Sequence, residues 1–131
     1  MFTKPNVSPA EYTVCKYIHG LGIVNTPEPI SYDADTKTMT MVSIPQLDIS
    51  NMYGEGSNDP PEYVFDEIRI IIKKLYDHGI VYPDITGYNF IEWDGKMWII
   101  DFEHCEINPS RKNPFVLEFI NGANTWNPLF R

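Results

Sequence analysis

A short hairpin in the C-terminal half constrains this chain more than any other feature. The dipeptide Asp94-Gly95 divides two runs that are rich in β-forming residues, and Asp-Gly between such runs is a strong signal for a two-residue hairpin turn. With the turn at this dipeptide, Asn89 and Asp101 lie within about one residue of each other at the hairpin base, where cross-strand neighbours are roughly 5 Å apart. The hairpin therefore brings an amide and a carboxylate together.

The segment leading into the hairpin adds a second carboxylate. Asp84 precedes Asn89 by five positions, so its loop can lie over the same pocket as Asn89 and Asp101. Amide and carboxylate oxygens, with water and phosphate, are the ligands that Mg²⁺ prefers. A further carboxylate beside such a metal is an arrangement that serves phosphoryl transfer. The alternative is a structural hairpin that carries an Asn and an Asp near its base with no further role.

The order of these residues resembles the catalytic loop and the Asp-Phe-Gly segment of the eukaryotic-like protein kinase superfamily. Asp84 with Asn89 five residues later, and Asp101-Phe102 after the hairpin, carry the resemblance. It implies an ATP- and Mg²⁺-dependent phosphotransferase. In that enzyme Asp84 would accept the substrate proton, and Asn89 and Asp101 would bind magnesium.

Several positions depart from the protein kinase pattern. Tyr82 and Pro83 stand where protein kinases carry His-Arg, Glu103 replaces the glycine of Asp-Phe-Gly, and no Ala-Pro-Glu segment follows. The Asp-Phe-Glu form is similar to that of choline and aminoglycoside kinases, so both a protein and a small-molecule substrate stay open. The sequence also has no Gly-x-Gly-x-x-Gly segment, which is the loop that covers the nucleotide phosphates in the family.

The N-terminal third is similar to the smaller kinase lobe from its helix αC onward. A serine, a first-turn proline and Glu11 have the order of a capping box, and two short strands over 30–32 and 38–44 follow the helix. The resemblance aligns Glu11 with the αC glutamate and Lys4 with its partner lysine at the nucleotide phosphates. The alternatives are that Glu11 only caps its helix and that Lys4 is a solvated terminal residue.

The predicted fold class is α+β: a minimal protein kinase-like fold with a reduced N-lobe and a truncated C-lobe. We expect an N-lobe-like region over 1–50, a linker over 51–62, and a C-lobe-like region over 63–131 with the catalytic loop and the metal-binding hairpin. The C-lobe-like region begins with a helix that ends near Asp77 and is capped by Asp59. The chain has 131 residues, roughly half of what the kinase fold normally occupies. The apolar tail 126–130 either fills the core or forms a contact surface.

Composition limits the partners. The net charge of −8 and the isoelectric point near 4.7 disfavour nucleic acid and anionic membranes, whereas a basic peptide or protein is compatible. No apolar run approaches the ~20 residues of a membrane span, and the N-terminus does not have the pattern of a signal peptide. We therefore expect a cytoplasmic location, where Cys15 and Cys105 stay reduced.

Two functions fit these observations. The first is a minimal ATP- and Mg²⁺-dependent phosphotransferase that lacks the glycine-rich loop. The second is a catalytically inactive, pseudokinase-like module that acts by binding a protein partner. A homodimer that completes the site would reconcile the two.

Overall fold

The computed structural model describes residues 1–130. A three-stranded sheet with one helix comes first, and a second part built on a long helix and a hairpin follows. The elements in chain order are β1 (Phe2–Lys4), α1 (Pro9–Leu21), β2 (Pro29–Asp33), β3 (Thr38–Met41), α2 (Ile49–Tyr53), α3 (Glu62–Asp77), β4 (Ile80–Val81), β5 (Phe90–Trp93), β6 (Lys96–Ile99), β7 (Glu106–Ile107) and α4 (Pro114–Ile120). The predicted α+β mixture of helices and strands is confirmed.

The N-terminal sheet has the antiparallel order β1-β3-β2, with Lys4 opposite Met39. Helix α1 begins as predicted, because the Ser8 hydroxyl oxygen accepts a hydrogen bond from the Glu11 backbone N–H at 3.1 Å. The reciprocal half of the predicted capping box is absent in residues 1–130, since the Glu11 carboxylate turns towards β1 instead. The sheet thus places the end of its edge strand against the first turn of α1.

Helix α3 forms the floor of the second part. Its apolar residues recur every three to four positions, and one face is buried as the sequence predicts. Asp59 does not cap this helix, however: Pro61 occupies the N-cap position without a side-chain hydrogen bond, and Asp59 accepts from the Gly56 backbone N–H at 2.7 Å. The buried residues are Val64, Phe65, Ile68, Ile71, Ile72 and Leu75.

Strands β5 and β6 form the predicted hairpin in the predicted register. Trp93 pairs with Lys96, and the turn residues Asp94 and Gly95 have φ values of 54° and 69°. Positive φ at both central positions is what a type I′ turn requires, and it matches the twist of the strands. The Ile100 backbone N–H donates to the Asn89 carbonyl at 3.0 Å, which extends the pairing by one residue towards the hairpin base.

Two further segments are the expected linker over 51–62 and the apolar tail over 126–130. The expected linker 51–62 begins inside helix α2, whose first residues Ile49 and Ser50 are buried. In the tail, Trp126 is 4% exposed and lies with its ring centroid 4.5 Å from that of Phe65. The core position is therefore seen for Trp126, whereas Leu129 is 86% exposed.

The described residues, 1–130, contain no helix long and apolar enough to cross a membrane.

Candidate active site

The first half of the site is an ion cluster between β1, α1 and the end of the hairpin. The Lys4 ammonium nitrogen lies 2.5 Å from Glu11 Oε2 and 3.3 Å from Asp101 Oδ1. The Glu11 side chain is 3% exposed and the Lys4 side chain 24%, so water screens this cluster weakly. Burial lowers the pKa of Lys4, but the hydrogen bond with Glu11 and the charge of Asp101 outweigh it and leave the pKa above its ordinary value.

This cluster shows what Lys4 and Glu11 contact. Lys4 is paired rather than solvated, and the Glu11 carboxylate binds Lys4 rather than capping its helix. The contact spans seven residues across a strand, a loop and a helix start. The structure therefore brings these two residues to the same place as Asp101.

Asp101 has a backbone conformation that few residues adopt. Its φ of 64° lies in the left-handed region, where Asp is tolerated better than most non-glycine residues. Strained backbone of this kind is concentrated at functional sites. In residues 1–130 both of its side-chain hydrogen bonds, from Lys4 and from the Glu103 backbone N–H, use Oδ1, which leaves Oδ2 for a cation.

The second half of the site is the loop over residues 82–89. Asn89 donates from Nδ2 to the Asp84 carbonyl at 2.8 Å, and this bond assigns the orientation of the amide, so that Oδ1 is its acceptor atom. The loop also packs closely on α2: a Cβ at Gly87 would lie 3.1 Å from the Ser50 backbone nitrogen. Asp84 and Asn89 are thus both held, and both are 7% exposed.

The carboxylate of Asp84 contacts a histidine. Nδ1 of His104 lies 3.1 Å from Asp84 Oδ2. Burial raises the pKa of Asp84, the hydrogen bond from His104 opposes this, and the Asp101 charge adds to it, so that the pKa lies above its ordinary value. A raised pKa brings a carboxyl group nearer to the range in which it can act as an acid or a base.

His104 is the residue that sequence reasoning missed. Its contact with Asp84 spans 20 positions, and no local sequence pattern indicates it. The ring centroid of Phe102 lies 5.8 Å from that of Tyr82. The Tyr82 hydroxyl donates to the Ile100 carbonyl at 2.6 Å, which secures the backbone just before Asp101.

A cavity of about 510 Å³ opens between the N-terminal sheet and the hairpin. This size is in the range of small-molecule and cofactor sites, which are mostly apolar with a few placed polar groups. Its polar lining includes residues of both halves of the site, Lys4, Glu11, Asn89 and Asp101, together with Thr26, Ser43, Asp48 and Tyr88. The rest is mainly apolar and includes Met39, Met41, Val42, Ile44, Ile91, Ile100 and Phe102.

The side-chain oxygens of Asn89 and Asp101 fit the ligand preference of Mg²⁺. An Asn amide and an Asp carboxylate line the same cavity, and Mg²⁺ is usually held by one or two protein oxygens together with substrate phosphates and water. Residues 1–130 contain no group of three or more His, Cys, Asp and Glu side chains placed to hold a metal. The residues therefore suit a metal that arrives with phosphate, not one caged by protein alone.

Comparison with known proteins finds kinases among the proteins that this chain resembles. The family model of the RIO domain matches residues 6–120. The RIO-type serine/threonine-protein kinase Rio1 of Haloferax volcanii is 27% identical over 78 residues, which are 60% of this chain and 27% of that protein. The 3-deoxy-D-manno-octulosonic acid kinase of Photobacterium damsela subsp. piscicida is 27% identical over 93 residues, 63% of this chain and 37% of that protein.

Solved structures agree on the fold. The Rio2 kinase from Chaetomium thermophilum, in an ADP/Mg²⁺-phosphoaspartate complex, superposes with a TM-score of 0.59 at 22% identity and covers 86% of this chain and 34% of that chain. The Cydia pomonella granulovirus kinase PK-1 gives a TM-score of 0.57 at 13% identity, with 79% and 41% covered. This chain thus spans 27% to 41% of the length of these four proteins.

Proposed function

Because the chain belongs to the RIO domain family within the protein kinase-like superfamily, we propose that it is an ATP- and Mg²⁺-dependent phosphotransferase. One observation carries the proposal. Lys4, Glu11, Asn89 and Asp101 come from four separate segments of the chain and line a single cavity. A purely structural hairpin would not require a lysine from a strand and a glutamate from a helix to lie at its base.

Lys4 and Glu11 act together in this proposal. Glu11 holds the Lys4 ammonium at 2.5 Å, and Lys4 presents its charge to the phosphates of the nucleotide. A cation fixed by a buried carboxylate costs no reorganisation when charge develops on the phosphoryl group. Positioning of this kind is most of what phosphoryl-transfer enzymes contribute.

Asn89 and Asp101 would hold magnesium through amide Oδ1 and carboxylate Oδ2. When bound, the metal would neutralise negative charge on the phosphates. Lys4 lies 3.3 Å from Asp101 Oδ1, so the ammonium and the metal would share this carboxylate between its two oxygens. The apolar part of the cavity, which includes Met39 and Ile91, would receive the adenine base.

Asp84 would orient the acceptor hydroxyl and take its proton. Its carboxylate lies at a loop fixed by the Asn89 hydrogen bond, and His104 holds Oδ2, which leaves Oδ1 for the substrate. The acceptor is a hydroxyl-bearing molecule; the relatives include both a serine/threonine-protein kinase and a sugar kinase. Protein and small-molecule acceptors are therefore both to be tested.

A binding module without catalysis is the second candidate, and one feature favours it. Strand β1 lies at the edge of its sheet, and Phe2 on it is 51% exposed. An exposed strand edge is a template for pairing with another chain. A protein partner, or a second copy of this chain, would then occupy that edge.

Calorimetric titration with ATP separates the two candidates. We expect binding in the presence of Mg²⁺ that weakens at least tenfold without the metal and in Asp101→Asn. Asp35→Asn, in the exposed turn between β2 and β3, is the matched control and should bind as the unmodified chain does. Equal binding by Asp101→Asn and the control would remove the metal role, and no binding at all would leave the binding module.

A further inference from the structure

The C-terminal tail holds the 82–89 loop on both sides of Asp84. The side-chain Nδ2 of Asn127 donates to the Pro83 carbonyl at 2.8 Å, and the Asn127 backbone N–H donates to the Ile85 carbonyl at 2.8 Å. These two carbonyls belong to the residues immediately before and after Asp84. Asn127 is 3% exposed, so neither bond competes with bulk water.

The loop needs such a partner because it has no regular structure of its own. Residues 82–86 lie in neither a helix nor a strand, and all are buried. The local bonds, Ile85 N–H to the Pro83 carbonyl and Thr86 N–H to the Asp84 carbonyl, span only two residues and do not define a single conformation. The Pro83 carbonyl already accepts from Ile85, so the Asn127 side chain is its second donor, whereas the Ile85 carbonyl accepts from the Asn127 backbone N–H. A buried carbonyl left without a donor is costly, so the conformation that offers the Ile85 carbonyl to Asn127 is favoured.

Asn127 is itself fixed in one orientation. Its Oδ1 accepts from the Leu129 backbone N–H at 3.1 Å while Nδ2 donates to Pro83, so exchanging the amide O and N would lose both bonds. The preceding residue, Trp126, is packed on Phe65 of helix α3. Asn127 therefore links the loop to a tail that is packed on helix α3.

The same tail also reaches the other partner of Asp84. The ring of Phe130 lies 5.0 Å, between centroids, from the ring of His104, whose Nδ1 contacts Asp84 Oδ2. The tail thus contacts the backbone around Asp84 through Asn127 and its side-chain partner through Phe130.

We propose that Asn127 is a positioning residue that fixes the Asp84 carboxylate for phosphoryl transfer. The inference deepens the proposed function and depends on it for the catalytic consequence. Asn127 touches neither nucleotide nor metal in this account. Its removal should therefore affect the transfer step and leave nucleotide binding unchanged.

The test compares Asn127→Ala with Asn124→Ala. Asn124 lies in the same tail and donates from Nδ2 to the Phe115 carbonyl at 3.1 Å, away from the 82–89 loop, so both variants lose a side-chain donor to a carbonyl. For Asn127→Ala we expect kcat to fall about tenfold, the factor worth one ordinary hydrogen bond. The affinity for Mg²⁺ and ATP should stay within about twofold, and Asn124→Ala should keep its kcat.

A second readout does not need catalysis. Amide hydrogen exchange, followed by NMR, measures how firmly Ile85 and Thr86 are held. We expect their exchange to accelerate at least tenfold more in Asn127→Ala than in Asn124→Ala. If Asn127→Ala does not fold, Asn127→Ser, which leaves room for a bridging water, is measured in the same way.

The outcomes separate the two claims. A chain without phosphoryl transfer, but with faster loop exchange in Asn127→Ala, would refute the proposed function and retain the positioning of Asp84 by Asn127. Equal loop exchange in the two variants, or an equal loss of kcat, would overturn the role of Asn127.

Discussion

Replacing Lys4 with methionine should destabilise the protein by about 3 kcal/mol. Glu11 would keep its charge in a site where its side chain is 3% exposed, and removing one partner of a buried ion pair typically costs about 3 to 5 kcal/mol. The lower end applies because the Lys4 side chain is 24% exposed. The unfolding entropy of about 2.1 cal/mol/K per residue then lowers the Tm by about 11 °C for 131 residues.

Urea unfolding and scanning calorimetry measure these quantities. The control is Lys73→Met, because Lys73 pairs with Asp77 at 2.8 Å with both side chains more than half exposed, and such a pair contributes about 0.5 kcal/mol or less. The double variant Lys4→Met with Glu11→Gln should regain most of the lost stability, since no uncompensated charge remains. A loss below about 1 kcal/mol for Lys4→Met, equal to that of the exposed pair, would refute the reasoning.

Two further predictions concern the carboxylate of Asp84. Burial raises the pKa of Asp84 in the folded state, so ionised Asp84 lowers the stability above that pKa, and this loss is relieved as the pH falls through the folded pKa towards the unfolded value. Asp84→Asn should therefore raise the Tm by a few degrees at pH 7 and by less at pH 4. An unchanged or lower Tm at pH 7 would contradict this. The hydrogen bond from His104 lowers the pKa of Asp84, so His104→Ala should move the acidic limb of the pH dependence of kcat/KM to higher pH. His104→Asn retains a donor near the position of Nδ1 and should move this limb less. Identical acidic limbs in the two variants would contradict this.

The parts of the fold that sequence reasoning predicted depend on local chemistry. The two-residue turn at Asp94-Gly95 sets the register of the hairpin, and apolar residues that recur every three to four positions set the buried face of α3. The N-cap at Ser8 acts on Glu11, only three positions away. Each of these signals is complete within a few neighbouring residues.

The parts that could not be predicted depend on contacts between distant segments. The sequence left open whether Glu11 pairs with Lys4 or only caps its helix, because that depends on where β1 lies against α1. The contact of His104 with Asp84 spans 20 positions. Asn127 reaches Pro83 across 44 positions. Sequence patterns report periodicity and capping, and none of them reports which loop a tail residue will meet.

The most direct test of the central claim replaces Mg²⁺ with paramagnetic Mn²⁺ in the presence of excess ADP and follows the NMR signals of the protein. If Asn89 and Asp101 hold the metal of a bound nucleotide, substoichiometric Mn²⁺ should broaden the Asn89 side-chain amide and the Asp101 backbone amide first. Strongest broadening at the exposed acidic turn 33–35, with Asn89 unaffected, would contradict the account.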